Sequence, residues 1–179
     1  MSAKVLVAGV GNIFLGDDGF GSEVARRLAG EPFPATVRVE DFGIRGVHLA
    51  YELLEGYDTA IIVDATQRGG APGTIYVIEP DPDDPPEPTP LDGHSLAPGE
   101  VLARLSALGG EVGQVLVVGC EPETVDERMG LSPPVAGAVD EAVRVVRRLV
   151  AQAMHTEHAE IAVEMDSAAL QASPSGGAS

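Results

Sequence analysis

Four side chains stand where their types and spacing allow chemistry. Asp17 and Asp18 close the glycine-rich stretch GVGNIFLGDDGFG, Asp64 ends the apolar run IIVDA, and His94 lies in GHSL. Two carboxylates and one imidazole from three separated segments make a donor set for a borderline divalent ion, with positions left for water or a substrate atom. Calcium would demand more oxygens. Each residue also has a plainer reading. Asp17 or Asp18 would cap the helix that follows by accepting its free backbone N–H groups. His94 in a polar loop would be a surface histidine. Asp64 is harder to dismiss, because a carboxylate ending a buried strand is costly unless paired or solvated in a crevice. Other nucleophiles are weaker candidates: Cys120 follows VLVVG, where cysteine behaves as a small apolar residue. Ser95 adjoins His94, but neighbours in sequence are not thereby a triad.

The opening glycines raise a competing reading. Gly9 and Gly11 follow an apolar strand as in a dinucleotide-binding turn, and Glu40 or Asp41 stands where a ribose-binding acid would be. The third glycine is missing, since position 14 is Phe14. Paired acids at Asp17 and Asp18 would moreover repel a pyrophosphate. No G-x-x-x-x-G-K-[ST] loop occurs either.

Positioning these residues falls to elements that alternate between β-branched runs and amphipathic helical patterns, the signature of a sheet covered by helices on both faces. Strands are predicted over Lys4 to Val10, Thr36 to Asp41, Thr59 to Ala65, Gly73 to Glu79 and Gln114 to Glu121. Helices are predicted over Gly21 to Gly30, Gly46 to Gly56, from about Ser95 to Gly109, and Ser132 to Met154. The connection Thr66 to Pro72 is too short for a parallel crossover, so the fourth strand is expected to run antiparallel. The helix after it must start near the carboxyl ends of strands one and three, which carries His94 to the edge where Asp18 and Asp64 lie. Ligands of open α/β sheets bind at that edge.

The chain of 179 residues suits one domain, expected over 1–154, with a disordered tail from 155 to 179 where the pattern fades into SPSGGAS. Hydrophobic residues make up 44%, yet no apolar run approaches a membrane span, and Lys4 alone precedes the first strand, so neither a membrane nor a secretory signal is expected and the location is read as cytoplasmic. A formal net charge of -17 excludes nucleic acid as a natural partner. The lone cysteine excludes disulfides and cysteine-rich zinc sites.

Taken together, GVGNIFLGDDGFG, DFGIRGVHLAYELL, IIVDA, GHSL and GCEPETVDERMGLSPPV resemble the hydrogenase maturation endopeptidases, over about Lys4 to Leu149. The resemblance implies a three-layer α/β/α sandwich with a mixed five-stranded sheet in order 2-1-3-5-4 and strand four antiparallel. It implies an aspartyl-type peptide-bond hydrolase that removes the C-terminal extension of a nickel–iron hydrogenase large-subunit precursor after nickel insertion. The family's metal-contacting and catalytic positions fall on Asp18, Asp64 and His94, the nickel being supplied by the precursor, with zinc or cadmium able to substitute in crystals. The glycine turn then serves to present Asp18. The loop after strand two, linked in the family to partner recognition, falls on Asp41 and Gly43, where Phe42 and Ile44 depart from the common Asp-Gly-Gly-Thr. A monomer acting on one large subunit is expected. Two other classes stand beside this reading: a non-proteolytic nickel-binding accessory protein or chaperone, and a small-molecule α/β binding module.

Overall fold

The strand Val5–Val10 (β1) is buried at every residue, which demands cover on both faces of the sheet. The computed structural model describes residues 2–81 and 97–170, with side chains described through His155. After β1 come a 3-10 turn (Gly16–Gly19), α1 (Phe20–Ala29), β2 (Val37–Gly43), α2 (Gly46–Leu53), β3 (Thr59–Ala65), β4 (Ile75–Ile78), α3 (Pro98–Ala107), β5 (Gln114–Cys120) and α4 (Pro133–Leu170).

The five strands form one sheet in order β2-β1-β3-β5-β4. β4 pairs antiparallel with β5, while the other pairings are parallel. That reversal is the one the short 66–74 connector requires. Strand alternation sends Val5 and Val7 to a core shared with α1 and α4, through Val24, Leu28, Val139 and Val146. Leu6, Ala8 and Val10 go to a second core with α2 and α3, through Leu49, Leu53, Val101 and Leu105. Helices therefore cover both faces, as the sequence pattern predicts.

Register brings the chemistry to one edge. Gly9 lies opposite Asp41 on one side and Val63 on the other, so β1, β2 and β3 end level with one another. Asp64 pairs with Gly119 at the same height on β5.

Two regions differ from expectation or fall beyond description. α4 does not stop near Met154: its backbone stays helical to Leu170. Residues 155–170 hold neither glycine nor proline and are rich in alanine and glutamate, so no breaker interrupts the helix. The helix expected over Ser132 to Met154 thus continues in its backbone to Leu170, and 171–179 lie outside the described residues. His94 and residues 82–92 of the proline-rich acidic stretch also lie outside them. Among the described residues no helix is long and apolar enough to cross a membrane.

Glycines Gly9 and Gly21 fix how α1 sits on the sheet. A Cβ on Gly21 would stand 2.1 Å from the Val63 carbonyl oxygen and 2.3 Å from that of Val10, and one on Gly9 would stand 2.3 Å from the Gly21 oxygen. The obstacles are backbone atoms, which cannot rotate away. Gly21→Ala is therefore expected to destabilise the fold by about 3 kcal/mol, read as a lower urea midpoint with an unchanged slope.

Candidate active site

The loop from β1 to α1 is shaped by its glycines. Gly11 has φ +133°, and a Cβ there would fall 1.8 Å from the Asp18 carbonyl oxygen. The chain thus folds back on itself where a dinucleotide turn would leave room for phosphate, and the 3-10 turn fills the close approach that glycine permits. Asn12 receives the returning acid: its backbone N–H donates to Asp18 Oδ2 at 2.8 Å. Gly11 N–H also donates to the Gly43 carbonyl at 2.9 Å, which stitches the β1 loop to the end of β2.

Asp17 and Asp18 are neighbours with different work. Asp17 is fully buried, and its carboxylate accepts four hydrogen bonds: from Glu123 N (2.8 Å), Thr124 N (3.0 Å), Ser132 N (2.7 Å) and Ser132 Oγ (2.8 Å). Burial pushes its pKa up, but the Ser132, Thr124 and Glu123 donors outweigh burial and hold it below the usual value. Asp17 fastens the β5–α4 loop to the turn that carries Asp18. Neither acid caps a helix through its side chain, because the 3-10 turn and α1 both lack a side-chain cap bond. The capping reading is replaced by these longer-range bonds.

Asp18 lies near enough to Asp64, at the carboxyl edge of the sheet, for its charge to act on that carboxyl. Burial raises the pKa of Asp18, opposed by the Asn12 N–H. Asp64 is pushed well above its ordinary range, first by burial and then by the nearby Asp18 charge, with the Ala65 N–H acting the other way. Two carboxylates that disfavour each other's charge take up either a proton or a cation. Among the described residues they are not joined by a third His, Cys, Asp or Glu in a metal-holding group. The expected third donor, His94, lies outside the described residues.

Asp41 and Gly43 sit beside this edge. Asp41 Oδ1 accepts from the buried Ser22 Oγ at 2.7 Å and from Gly43 N at 2.9 Å, and Gly43 has φ +54°. Asp41 is thus committed to shaping its loop, which also removes it as a ribose-binding acid. Cys120 is fully buried and its thiol is pushed up to about 12 by burial and by the Asp17, Glu121 and Glu141 charges. Such a thiol supplies no thiolate for attack.

Sequence reasoning named Asp17 without separating its work from that of its neighbour, and it missed the buried Glu121, which gave no signal beyond being an acid that ends an apolar strand. Glu121 accepts from Arg68 N (2.8 Å), Gly69 N (3.3 Å) and Tyr76 Oη (3.0 Å), pinning the β3–β4 connection.

A sequence profile described as hydrogenase maturation protease matches residues 22–149, which include Asp41, Gly43, Asp64 and His94 and begin just after Asp18. The hydrogenase expression/formation protein HupD of Rhodobacter capsulatus is 33% identical over 153 residues, covering 80% of this chain and 71% of that protein. The hydrogenase 2 maturation protease of Escherichia coli K12 is 29% identical over 145 residues, covering 80% and 88%. In structure, the hydrogenase maturating endopeptidase HybD from E. coli superposes with a TM-score of 0.74 at 28% identity, covering 83% of this chain and 93% of that one.

Two outcomes follow from the electrostatics. The lowered Asp17 pKa means that its stabilisation is complete above the unfolded value of 3.8 and is lost as pH falls through the folded value. Asp17→Ala, which strands three backbone donors and a hydroxyl, is expected to cost about 2–4 kcal/mol at pH 7 and progressively less in acid, measured by urea unfolding across pH. Asp64 has the opposite sign. Its folded pKa is raised, so wild-type stability falls as pH climbs above the unfolded value of 3.8 towards the folded one. In chelator-treated buffer Asp64→Asn is expected to unfold at a higher temperature than wild type near neutrality, with the difference vanishing below about pH 4.

Proposed function

Since the chain belongs to the hydrogenase maturation protease family, we propose that it removes the C-terminal extension of a nickel–iron hydrogenase large-subunit precursor, and that Asp18, Asp64 and His94 meet the nickel already placed in that substrate. The observation that carries this reading is the placement of Asp18 and Asp64 at one sheet edge, close enough for the Asp18 charge to raise the Asp64 pKa. A divalent cation relieves that repulsion, so the pair suits an ion brought in by the partner. The two carboxylates make an incomplete cage by themselves, which agrees with a metal that belongs to the substrate and with a third ligand at His94.

Nickel in the precursor supplies Lewis-acid polarisation beside the bond to be cut. The chain's own residues do the rest. Asn12 N–H holds one oxygen of Asp18 in place, which leaves the other oxygen available. Within the Asp18–Asp64 pair, a carboxylate oxygen that is not on the nickel takes the proton of the attacking water as the water oxygen adds to the scissile carbonyl. It returns that proton to the leaving amine as the C–N bond breaks. Asp41 and Gly43 act on recognition through the shape of the β2–α2 loop, since the Asp41 carboxylate is engaged by Ser22.

The test is incubation of purified nickel-loaded precursor with the protein. Wild type is expected to shorten the precursor at its C-terminus. Asp18→Ala, Asp64→Ala and His94→Ala are each expected to slow shortening by at least about a hundredfold while remaining folded. Normal processing by all three variants rejects the site, and binding without shortening by wild type makes the protein a non-proteolytic accessory factor.

A further inference from the structure

The turn that carries Asp18 also carries an apolar surface. Phe14 is 61% exposed and Met129 is 67% exposed, with Val125 and Ile13 exposed beside them. Backbone bonds set the two loops side by side: Arg128 N donates to Phe14 O at 3.0 Å and Gly16 N to Arg128 O at 2.8 Å, around a bridge between Leu15 and Arg128. Asn12 joins this surface to the acids, for its N–H holds Asp18 and its Oδ1 accepts from Phe14 N at 3.0 Å. Phe14 and Asp18 are thus placed by the same residue.

Arg128 lies next to Met129 and is bonded to Phe14. The chain has 28 Asp and Glu against 11 Lys and Arg, and Arg26, Arg27, Arg38 and Arg147 all pair with carboxylates. Among the described residues the ion pairs leave out the exposed Arg128, as they do Arg45, Arg68, Arg104, Arg144 and Arg148, but Arg128 alone of these adjoins Met129 and is bonded to Phe14. Phenylalanine, methionine and arginine are enriched in interface cores, and contiguous exposed apolar surface marks a site of association. A second copy of this chain fits poorly, because two molecules of net charge -17 repel.

Resting on the reading of the preceding section, we infer that Phe14, Arg128 and Met129 form the docking face for the large-subunit precursor. The face seats an apolar stretch of the precursor that carries a carboxylate opposite Arg128, and so delivers the neighbouring C-terminal segment to Asp18 and Asp64.

Binding to immobilised nickel-loaded precursor and the kinetics of its shortening test this together. Phe14→Ser combined with Met129→Ser is expected to raise Kd and KM by at least about tenfold, with kcat kept within about twofold. Arg128→Glu is expected to weaken binding similarly and to reverse its salt dependence, so that added salt strengthens the variant and weakens wild type. Unfolding curves matching wild type establish that the variants are folded. Kd and KM unchanged in both variants overturn the inference. A photo-crosslinker, p-benzoylphenylalanine, in place of Met129 identifies the occupant: a crosslink to the precursor supports the docking face, whereas one to a second copy or to the chain's own 82–92 stretch overturns it. Wild type that binds without cutting sinks the peptidase reading alone, and the variants' affinities still decide the docking face. Wild type that does not bind overturns the docking face as well.

Discussion

One buried carboxylate holds the working edge of this molecule together. Asp17 accepts three backbone N–H groups and a hydroxyl from the β5–α4 loop, and its own N–H donates to Thr124 O at 3.0 Å. A loop of this kind carries many backbone groups that helix and sheet do not satisfy. Gathering them on one charged acceptor fixes the loop in a single conformation. Because Asp17 and Asp18 are adjacent, the anchor of that loop and the presentation of Asp18 are mechanically the same event.

Immediately beyond the anchor the energetics reverse. Asp17 is stabilised as an anion by its donors, whereas Asp64 has burial and the Asp18 charge against it. Natural folds tolerate such repulsion where a proton or a cation is to be handled. The contrast between these two acids depends on hydrogen-bond donors and not on residue type: four bonds reach Asp17, while at Asp64 the Ala65 N–H opposes burial and the Asp18 charge.

The glycines set how closely backbone meets backbone at the end of β1. Gly9 and Gly21 let α1 lie directly on β1, and Gly11 lets the loop return until the Asp18 carbonyl occupies the space a side chain would need. The glycine pattern common to phosphate-binding turns serves here to bring backbone against backbone. The resulting turn holds both Asp18 and Phe14 through Asn12.

Local sequence determined much of this. Alternation within β1, the helical stripes of α1 and α4, and the short connector before β4 declared a mixed sheet covered on both faces, because periodicity and connection length are properties of neighbouring residues. Family motifs pointed to Asp18 and Asp64 and to the edge they share. The division of labour between Asp17 and Asp18 was not legible, since it rests on donors more than a hundred residues away in the chain, at Glu123, Thr124 and Ser132. Likewise the bond from Ser22 to the Asp41 carboxylate joins parts of the chain that no local pattern relates, and the continuation of α4 past Met154 was not legible because a fading apolar pattern does not by itself stop a helix. Sequence sets which groups exist and which local shapes they favour. Only the tertiary structure decides which charges acquire partners, because that depends on contacts made once the chain has closed on itself.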